Sequence, residues 1–151
     1  MLEDSDFSIV IAGGSGIAVA WPLVWSAINH SRKWDLENSG STAPLKRILF
    51  IWVVRNRSHI AWLQDRDHEE LKAEGVDVVI PPPTAEYGHP SIERISTDWL
   101  FSRELSMGQA HAKIGVVCSG PDGMNRAVTN MCSSWLHGGR NVSVEIEKFG
   151  W

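Results

Sequence analysis

Three glycines within four positions follow directly on a short apolar run near the start of this 151-residue chain. The run, residues 9–11, consists of β-branched side chains that favour a strand. Gly13, Gly14 and Gly16 allow a tight turn and leave no Cβ in the way of a ligand. If a helix begins next, its first N–H groups suit a pyrophosphate. The stretch therefore predicts a phosphate-binding turn, although ordinary turns carry the same letters and neither the dinucleotide fingerprint nor a P-loop is present.

Composition limits the class of protein. With 43% hydrophobic and 21% charged residues, the sequence predicts one soluble globular domain over residues 1–151. The longest apolar stretch, residues 17–25, is too short to span a bilayer, and the acidic start is unlike a signal peptide, so a cytoplasmic location is expected. Two cysteines do not make a zinc site, and a formal charge of −4 disfavours nucleic acid as a partner.

Five apolar segments alternate with helical patterns along the chain. After the first strand, further strands are predicted at residues 47–54, 76–80, 113–118 and 142–146. Helices are predicted from Pro22 to residue 33, from a cap at Ser58 to a stop at Gly75, at 91–105 and at 121–137. This alternation predicts an α/β fold with a doubly wound, parallel five-stranded sheet flanked by helices.

Prolines and polar residues mark segments where the predicted helices and strands start late or are interrupted. Pro22 either kinks a helix that begins at Ile17 or is itself the first helical residue, and we favour the second interpretation. Residues 34–44 are polar and predict a surface loop. The proline-rich residues 81–90 predict a rigid connector that is neither a central strand nor a helix.

Charged and reactive side chains follow the predicted strands at their carboxyl ends, where α/β sheets bind ligands. Arg55 and Arg57 suit a nucleotide phosphate because the guanidinium group matches its oxygens, with solvated loop charges as the alternative. Cys118 ends the fourth strand and is expected to point into the cleft, with a small buried hydrophobic residue as the alternative. His89, on the connector, is expected near the same edge.

Five motifs occur in order along the chain: Gly13-Gly14-Ser15-Gly16-Ile17, Trp52-Val53-Val54-Arg55, Gly88-His89-Pro90, Cys118-Ser119-Gly120-Pro121 and Phe149-Gly150-Trp151. Their order and approximate spacing resemble the nicotinamide-nucleotide-binding half of the ferric reductases. That half belongs to the ferredoxin-NADP reductase superfamily, which includes the NADPH oxidases, and the fungal metalloreductases look most similar. The likeness covers nearly the whole chain and implies the superfamily's C-terminal, NADP-linked fold.

The resemblance also implies roles for individual residues. The first motif would hold the pyrophosphate, and Arg55 with Arg57 would meet the adenosine ribose and its 2′-phosphate, which favours NADPH over NADH. Cys118 would lie beside the nicotinamide, in an element that continues through Ser119, Gly120, Pro121 and Met124. Trp151 resembles the aromatic residue that stacks on the flavin and that the nicotinamide displaces before hydride moves. Cys118 and Trp151 are thus the candidate catalytic residues.

Two departures from the family pattern bear on function. His89 stands where the family commonly has arginine, so the nucleotide groove loses one permanent positive charge. No flavin-binding barrel or haem-bearing membrane region is recognisable in residues 1–151. FAD is therefore expected only through a partner domain, in the same chain or another.

Two functions remain open. The first is an electron-transfer module, the NADPH-binding half of a ferric-reductase-like flavoenzyme. The second is a stand-alone domain that binds a small apolar organic molecule in the vacated cleft and catalyses a non-redox isomerisation or cyclisation, as in fungal secondary metabolism. There His89, Cys118 and Asp122 would be the acid–base or polarising groups. A homodimer over the flavin-facing surface would fit either function.

Overall fold

A parallel sheet lies at the centre of the structure, a computed structural model that describes residues 5–38, 48–63, 65–107 and 112–147. Its five strands are β1 Phe7–Gly13, β2 Ile48–Val53, β3 Val76–Val79, β4 Lys113–Ser119 and β5 Asn141–Glu147. They pair in the order β3-β2-β1-β4-β5, and each neighbouring pair is parallel. The predicted α/β fold is confirmed.

Helices connect the strands within the described residues. The α-helices are α1 Ile17–Asn38, α2 Asp65–Ala73, α3 Thr84–Tyr87, α4 Ile92–Met107 and α5 Asp122–His137. Two short 3-10 helices span Gly14–Gly16, directly before α1, and Arg57–Trp62, after β2. The predicted helix stop at Gly75 is confirmed, since this residue follows α2 with a φ of +83°.

The inner strands are almost entirely apolar because helices cover both faces of the sheet. Alternate side chains enter two separate clusters, so that Val10 enters one while its neighbours Ile9 and Ile11 enter the other. Helices α1 and α2 pack on the first face, and α4 and α5 pack on the second. The sheet is therefore doubly wound, as predicted.

The strand order reverses between β1 and β4. From β1 the chain moves outward to β2 and β3 with its helices on the first face. It then returns to the other side of β1, with α4 and α5 on the second face. Connections that leave neighbouring strands in opposite directions open a crevice at the carboxyl ends of those strands, where α/β proteins bind ligands. The crevice here lies between the turns that follow β1 and β4.

Helix α1 begins earlier than predicted. It starts at Ile17 and contains Pro22, so the favoured interpretation is wrong and the other one, a helix that includes the proline, is right. Pro22 lacks the N–H that would bond to the Ala18 carbonyl, which by itself disfavours the helix. Tertiary packing outweighs that cost, because α1 buries Ala20 and Val24 against the sheet.

Three other local predictions were wrong. Helix α1 continues through residues 34–38, where the sequence predicts a loop; residues 39–44 lie outside the described residues. Ser58 does not cap a helix but lies exposed inside the 3-10 helix after β2. Residues 81–90 contain the single-turn helix α3.

Packing and distant backbone contacts explain the last two differences. Leu63 is buried with an extended backbone, which ends the 3-10 helix before α2 begins. In α3, the N–H of Thr84 donates to the Val54 carbonyl at 2.9 Å, and the N–H of Ala85 donates to the Arg55 carbonyl at 3.1 Å. The end of β2 thus supplies acceptors that let a helical turn form among the prolines.

Replacing Pro22 with alanine should stabilise the protein by about 2 kcal/mol. The change restores an N–H and removes a ring clash, together about 3 kcal/mol in a helix interior, while the more flexible unfolded chain offsets up to about 1 kcal/mol. Ser26→Ala, at another exposed position of α1, is the control and should change the free energy of unfolding by at most about 0.5 kcal/mol. Urea denaturation measures both, and a Pro22→Ala protein no more stable than wild type would contradict this account.

Candidate nucleotide-binding site

The turns after β1 and β4 touch each other at the crevice. A Cβ placed on Gly120 would lie 2.6 Å from the Met124 Sδ and 3.4 Å from the Gly13 nitrogen. A Cβ on Gly13 would lie 2.9 Å from the Met124 Cε and 2.9 Å from the Pro121 Cδ. Glycine at both positions therefore lets the two turns pack closely against Met124. The structure thus brings four predicted site residues together.

Gly14 shapes the first turn. Its φ of +55° lies in the left-handed region that side chains disfavour, and the space beside its Cα is open. Its carbonyl accepts the N–H of Ile17 and, at 3.1 Å, the indole N–H of Trp52. Ser15 is exposed, and Gly16 is buried where the 3-10 helix joins α1. The open edge therefore meets the start of a long helix, which attracts anions.

A buried amide holds the second turn from beneath. Asn125, on α5, is only 5% exposed. Its Nδ2 donates to the Gly120 carbonyl at 2.9 Å, and its Oδ1 accepts a hydrogen bond from the Cys118 Sγ at 3.2 Å. Since a buried amide must keep its partners, these bonds fix the path from β4 into α5.

Cys118 does not face the cleft. It is fully buried in the cluster beneath α4 and α5, so the expected orientation is wrong and the small buried hydrophobic residue is right. Strand alternation is the reason, because Ile114, Val116 and Cys118 share one face of β4. Burial, with a smaller effect of Cys132, raises the pKa of Cys118 to about 12. The thiol is therefore uncharged at neutral pH.

Ser119 is a buried polar group at the crevice. It ends β4 beside Ala12 of β1, and strand alternation places it on the α1 face, opposite Cys118. Its Oγ has no hydrogen-bond partner among the described residues. A buried hydroxyl without a partner is costly, so a polar ligand group entering the crevice would remove that cost. Together with the open space at Gly14, this unpaired hydroxyl fits a bound nucleotide.

Two arginines lie where β2 ends, in different environments. Arg57 donates three hydrogen bonds of 3.0 to 3.3 Å to the Glu86 carboxylate on α3. Hydrogen bonding to Glu86, and then its charge, raise the pKa of Arg57. Arg55 is exposed and has no ion pair within the described part of the chain. Arg55 is therefore available to an anion, whereas Arg57 already holds a carboxylate.

A groove of about 590 Å³ opens beside the ion pair. Its lining consists of Arg57, Ile60, Ala61, Pro82, Pro83 and Tyr87. The ring of Tyr87 is free to stack on a flat ligand, since this residue is 66% exposed. A mostly apolar groove with arginine at its rim suits an aromatic base attached to a phosphate.

The remaining predicted residues do not form a cluster. His89 and Asp122 are exposed, and no hydrogen bond or ion pair joins either to the other or to Cys118 in the described ranges. Trp151 lies outside the described residues. The second hypothesis therefore lacks an assembled acid–base group.

A comparison of the sequence with known protein families indicates which class of ligand the site binds. Residues 8–78 match the family model described as “Ferric reductase NAD binding domain”. This part of the chain, a little under half of it, is similar to that family. The matched segment contains the glycine turn, Trp52 and Arg55, so the predicted resemblance is confirmed for residues 8–78. The match indicates a pyridine nucleotide as the ligand. No curated protein matches the chain.

Sequence reasoning missed the roles of several residues at the site. Trp52 lies in a motif that points to the family, but its contact with the turn requires the fold. Glu86 occurs in a segment for which the sequence predicts no helix, so its ion pair with Arg57 was not foreseen, whereas Tyr87 was expected near this edge. Asn125 lies in the first turn of α5, and no sequence pattern identifies it as the residue that supports the second turn.

The described residues contain neither a membrane-spanning helix nor a cluster of metal ligands. Among them, no helix is both long and apolar enough to cross a membrane. No group of three or more His, Cys, Asp or Glu side chains in the same ranges could hold a metal ion.

Alkaline pH should destabilise the protein through its buried thiols. Burial raises the pKa of Cys118 from 9.0 to about 12 and that of Cys132 from 9.0 to about 11. As pH rises above about 9, the unfolded chain loses these protons first, so stability falls by up to about 1.4 kcal/mol per pH unit for each thiol. Below that pH the contribution is complete.

Urea denaturation at pH 8, 9 and 10 measures this effect. The Cys132→Ala variant removes one thiol and should show a shallower fall in the free energy of unfolding than wild type. Identical slopes for the two proteins would contradict the assigned cause.

Proposed function

We propose that this chain is the NADPH-binding half of a ferric-reductase-like flavoenzyme, positioning NADPH for hydride transfer to FAD held by another domain or chain. The observation that carries the proposal is the crevice between β1 and β4, where β1 leads into the open glycine turn and α1, and β4 ends at the buried Ser119, whose hydroxyl has no partner among the described residues. The family match supports a pyridine nucleotide. The choice of NADPH, the flavin acceptor and a cytoplasmic location belong to the proposal.

The glycine turn is the proposed pyrophosphate site. Helix α1 has 22 residues, and the aligned peptide dipoles of such a helix place about half a positive charge at its start. Gly14 leaves the approach open, so phosphate oxygens can come within hydrogen-bond distance of the backbone. The helix dipole and the open approach at Gly14 favour binding of the pyrophosphate, and neither distinguishes NADPH from NADH.

The end of β2 is the proposed site for the adenosine. Proteins that select NAD commonly place an acidic residue there to accept a hydrogen bond from the ribose 2′-OH, whereas a 2′-phosphate needs arginine. Arg55 stands at this position with no ion pair among the described residues, and it can contact the 2′-phosphate. The groove beside Tyr87 has the size and apolar lining to take the adenine.

The second turn is the proposed site for the nicotinamide. The Ser119 hydroxyl can hydrogen-bond to the carboxamide, and Cys118 with Asn125 shapes the turn from the core side without exchanging protons. The hydride chemistry itself belongs to NADPH and FAD. The chain contributes binding and orientation, which alone can lower the barrier substantially. Trp151, as the residue that resembles the family's flavin-stacking aromatic side chain, is the proposed gate.

Titration of the purified chain with NADPH and with NADH tests this function. The eight tryptophans provide a fluorescence signal that a reduced nicotinamide quenches. Saturable quenching with tighter binding of NADPH is the expected result. Absence of binding by either nucleotide at millimolar concentration would overturn the proposal.

Replacing Arg55 with alanine should weaken NADPH binding about 10- to 100-fold, as expected for loss of a charge-assisted hydrogen bond to phosphate. NADH lacks the 2′-phosphate, so its dissociation constant should change little. The control is Arg94→Ala, which removes a different exposed arginine, one in α4 that pairs with Asp98. Equal losses for both nucleotides in Arg55→Ala would show that Arg55 does not read the 2′-phosphate.

Replacing Glu86 with glutamine should increase the preference for NADPH over NADH several-fold. The carboxylate occupies Arg57 and repels a nearby 2′-phosphate, and glutamine removes its charge while keeping its shape. The control is Asp98→Asn, which neutralises the partner of Arg94. Calorimetric titration measures both preferences, and an unchanged or reduced preference in Glu86→Gln would contradict a contribution of Glu86 to selectivity.

A further inference from the structure

A hydrogen bond from the second strand holds the glycine turn. Trp52 is fully buried in β2, on the face that α1 covers, and pairs in register with Ala12 of β1. Its indole Nε1 donates to the Gly14 carbonyl at 3.1 Å, across 38 positions of sequence. The N–H of Ile17 donates to the same carbonyl. Two donors therefore turn the Gly14 carbonyl towards the protein interior.

Because the peptide bond is planar, the direction of the Gly14 carbonyl also fixes the direction of the Ser15 N–H. In a trans peptide the C=O and the N–H point in opposite directions, and the described residues contain no cis peptide bond. The carbonyl of Gly14 and the N–H of Ser15 belong to one peptide group. Since the carbonyl faces the indole of Trp52, the N–H of Ser15 points away from it. Ser15 is itself exposed, so solvent and ligands can reach this part of the turn.

We propose that Trp52 is a positioning residue for the nucleotide: by holding the Gly14 carbonyl, it aims the Ser15 N–H at the pyrophosphate. The inference rests on the proposed function and deepens it. Gly14 needs such a restraint because glycine rotates among many backbone conformations at little cost. Trp52 acts only through the turn. Arg55 follows the same strand. Strand β2 therefore positions residues at both the pyrophosphate site and the 2′-phosphate site.

Variants that remove the indole donor test this role. Trp52→Phe removes the N–H and keeps an aromatic ring. Replacement of Trp52 by its benzothiophene isostere, with sulfur in place of the N–H, keeps the bicyclic shape and serves if Trp52→Phe does not fold. Trp99→Phe is the matched control, because the Trp99 indole also donates one hydrogen bond, to the Asp77 Oδ2 at 2.8 Å, but does so from α4.

Calorimetric titration with NADPH and with 2′-AMP separates positioning from general destabilisation. Loss of the donor at Trp52 should raise the dissociation constant of NADPH about fivefold, which corresponds to one ordinary hydrogen bond. Binding of 2′-AMP, which has no pyrophosphate, should not change. Trp99→Phe should leave both ligands unaffected. Equal weakening of both ligands at Trp52, no weakening at all, or the same pattern in Trp99→Phe would overturn the inference.

Inorganic pyrophosphate provides a readout that does not depend on nucleotide binding. In amide NMR spectra, pyrophosphate should shift the Ser15 N–H of the wild-type protein, and the shift should be smaller in the Trp52 variants. If wild type binds no nucleotide but pyrophosphate still shifts this amide, the proposed function fails and the positioning role stands. A Ser15 amide that does not respond to pyrophosphate in wild type would overturn the positioning role itself.

Discussion

Parallel strands that are buried on both faces leave polar chemistry only at their ends, and this constraint organises the whole molecule. Side chains along β1, β2 and β4 enter apolar clusters on either side of the sheet, so nothing that binds a charged ligand can lie there. The carboxyl ends are different, because each strand there gives way to a turn and a helix. Because the strand order reverses between β1 and β4, the chain leaves these two turns towards opposite faces of the sheet, which opens the crevice.

Glycine and buried hydrogen bonds give the crevice its shape. Gly13 and Gly120 allow the two turns to touch, while Trp52 beneath the first turn and Asn125 beneath the second hold backbone carbonyls in fixed directions. Both of these side chains point into the protein, not at a ligand. The site is therefore built by residues that face the core, and its open surface is mostly backbone. Such a surface suits a pyrophosphate, which backbone N–H groups can bind.

The sequence predicts the strands well and the details around them less well. Nearly continuous apolar runs identify the inner strands β1, β2 and β4, because burial on both faces removes most of the alternation. The edge strands β3 and β5 contain polar residues and lie partly exposed. Pro22 and Ser58 were misassigned because local propensity is weaker than tertiary packing. The orientation of Cys118 depends on which face of β4 meets the crevice. The ion pair of Arg57 with Glu86 joins residues 29 positions apart, so only the fold reveals it.

The central claim is that a nicotinamide nucleotide lies across the carboxyl ends of β1 and β4 with its phosphates at two separate places. A crystal structure of the chain with NADP⁺ tests this most directly. The account predicts the pyrophosphate at the turn of Gly13 and Gly14, within hydrogen-bond distance of the Ser15 N–H, and the 2′-phosphate against Arg55. A nucleotide bound elsewhere on the sheet, or one whose pyrophosphate does not touch this turn, would contradict it.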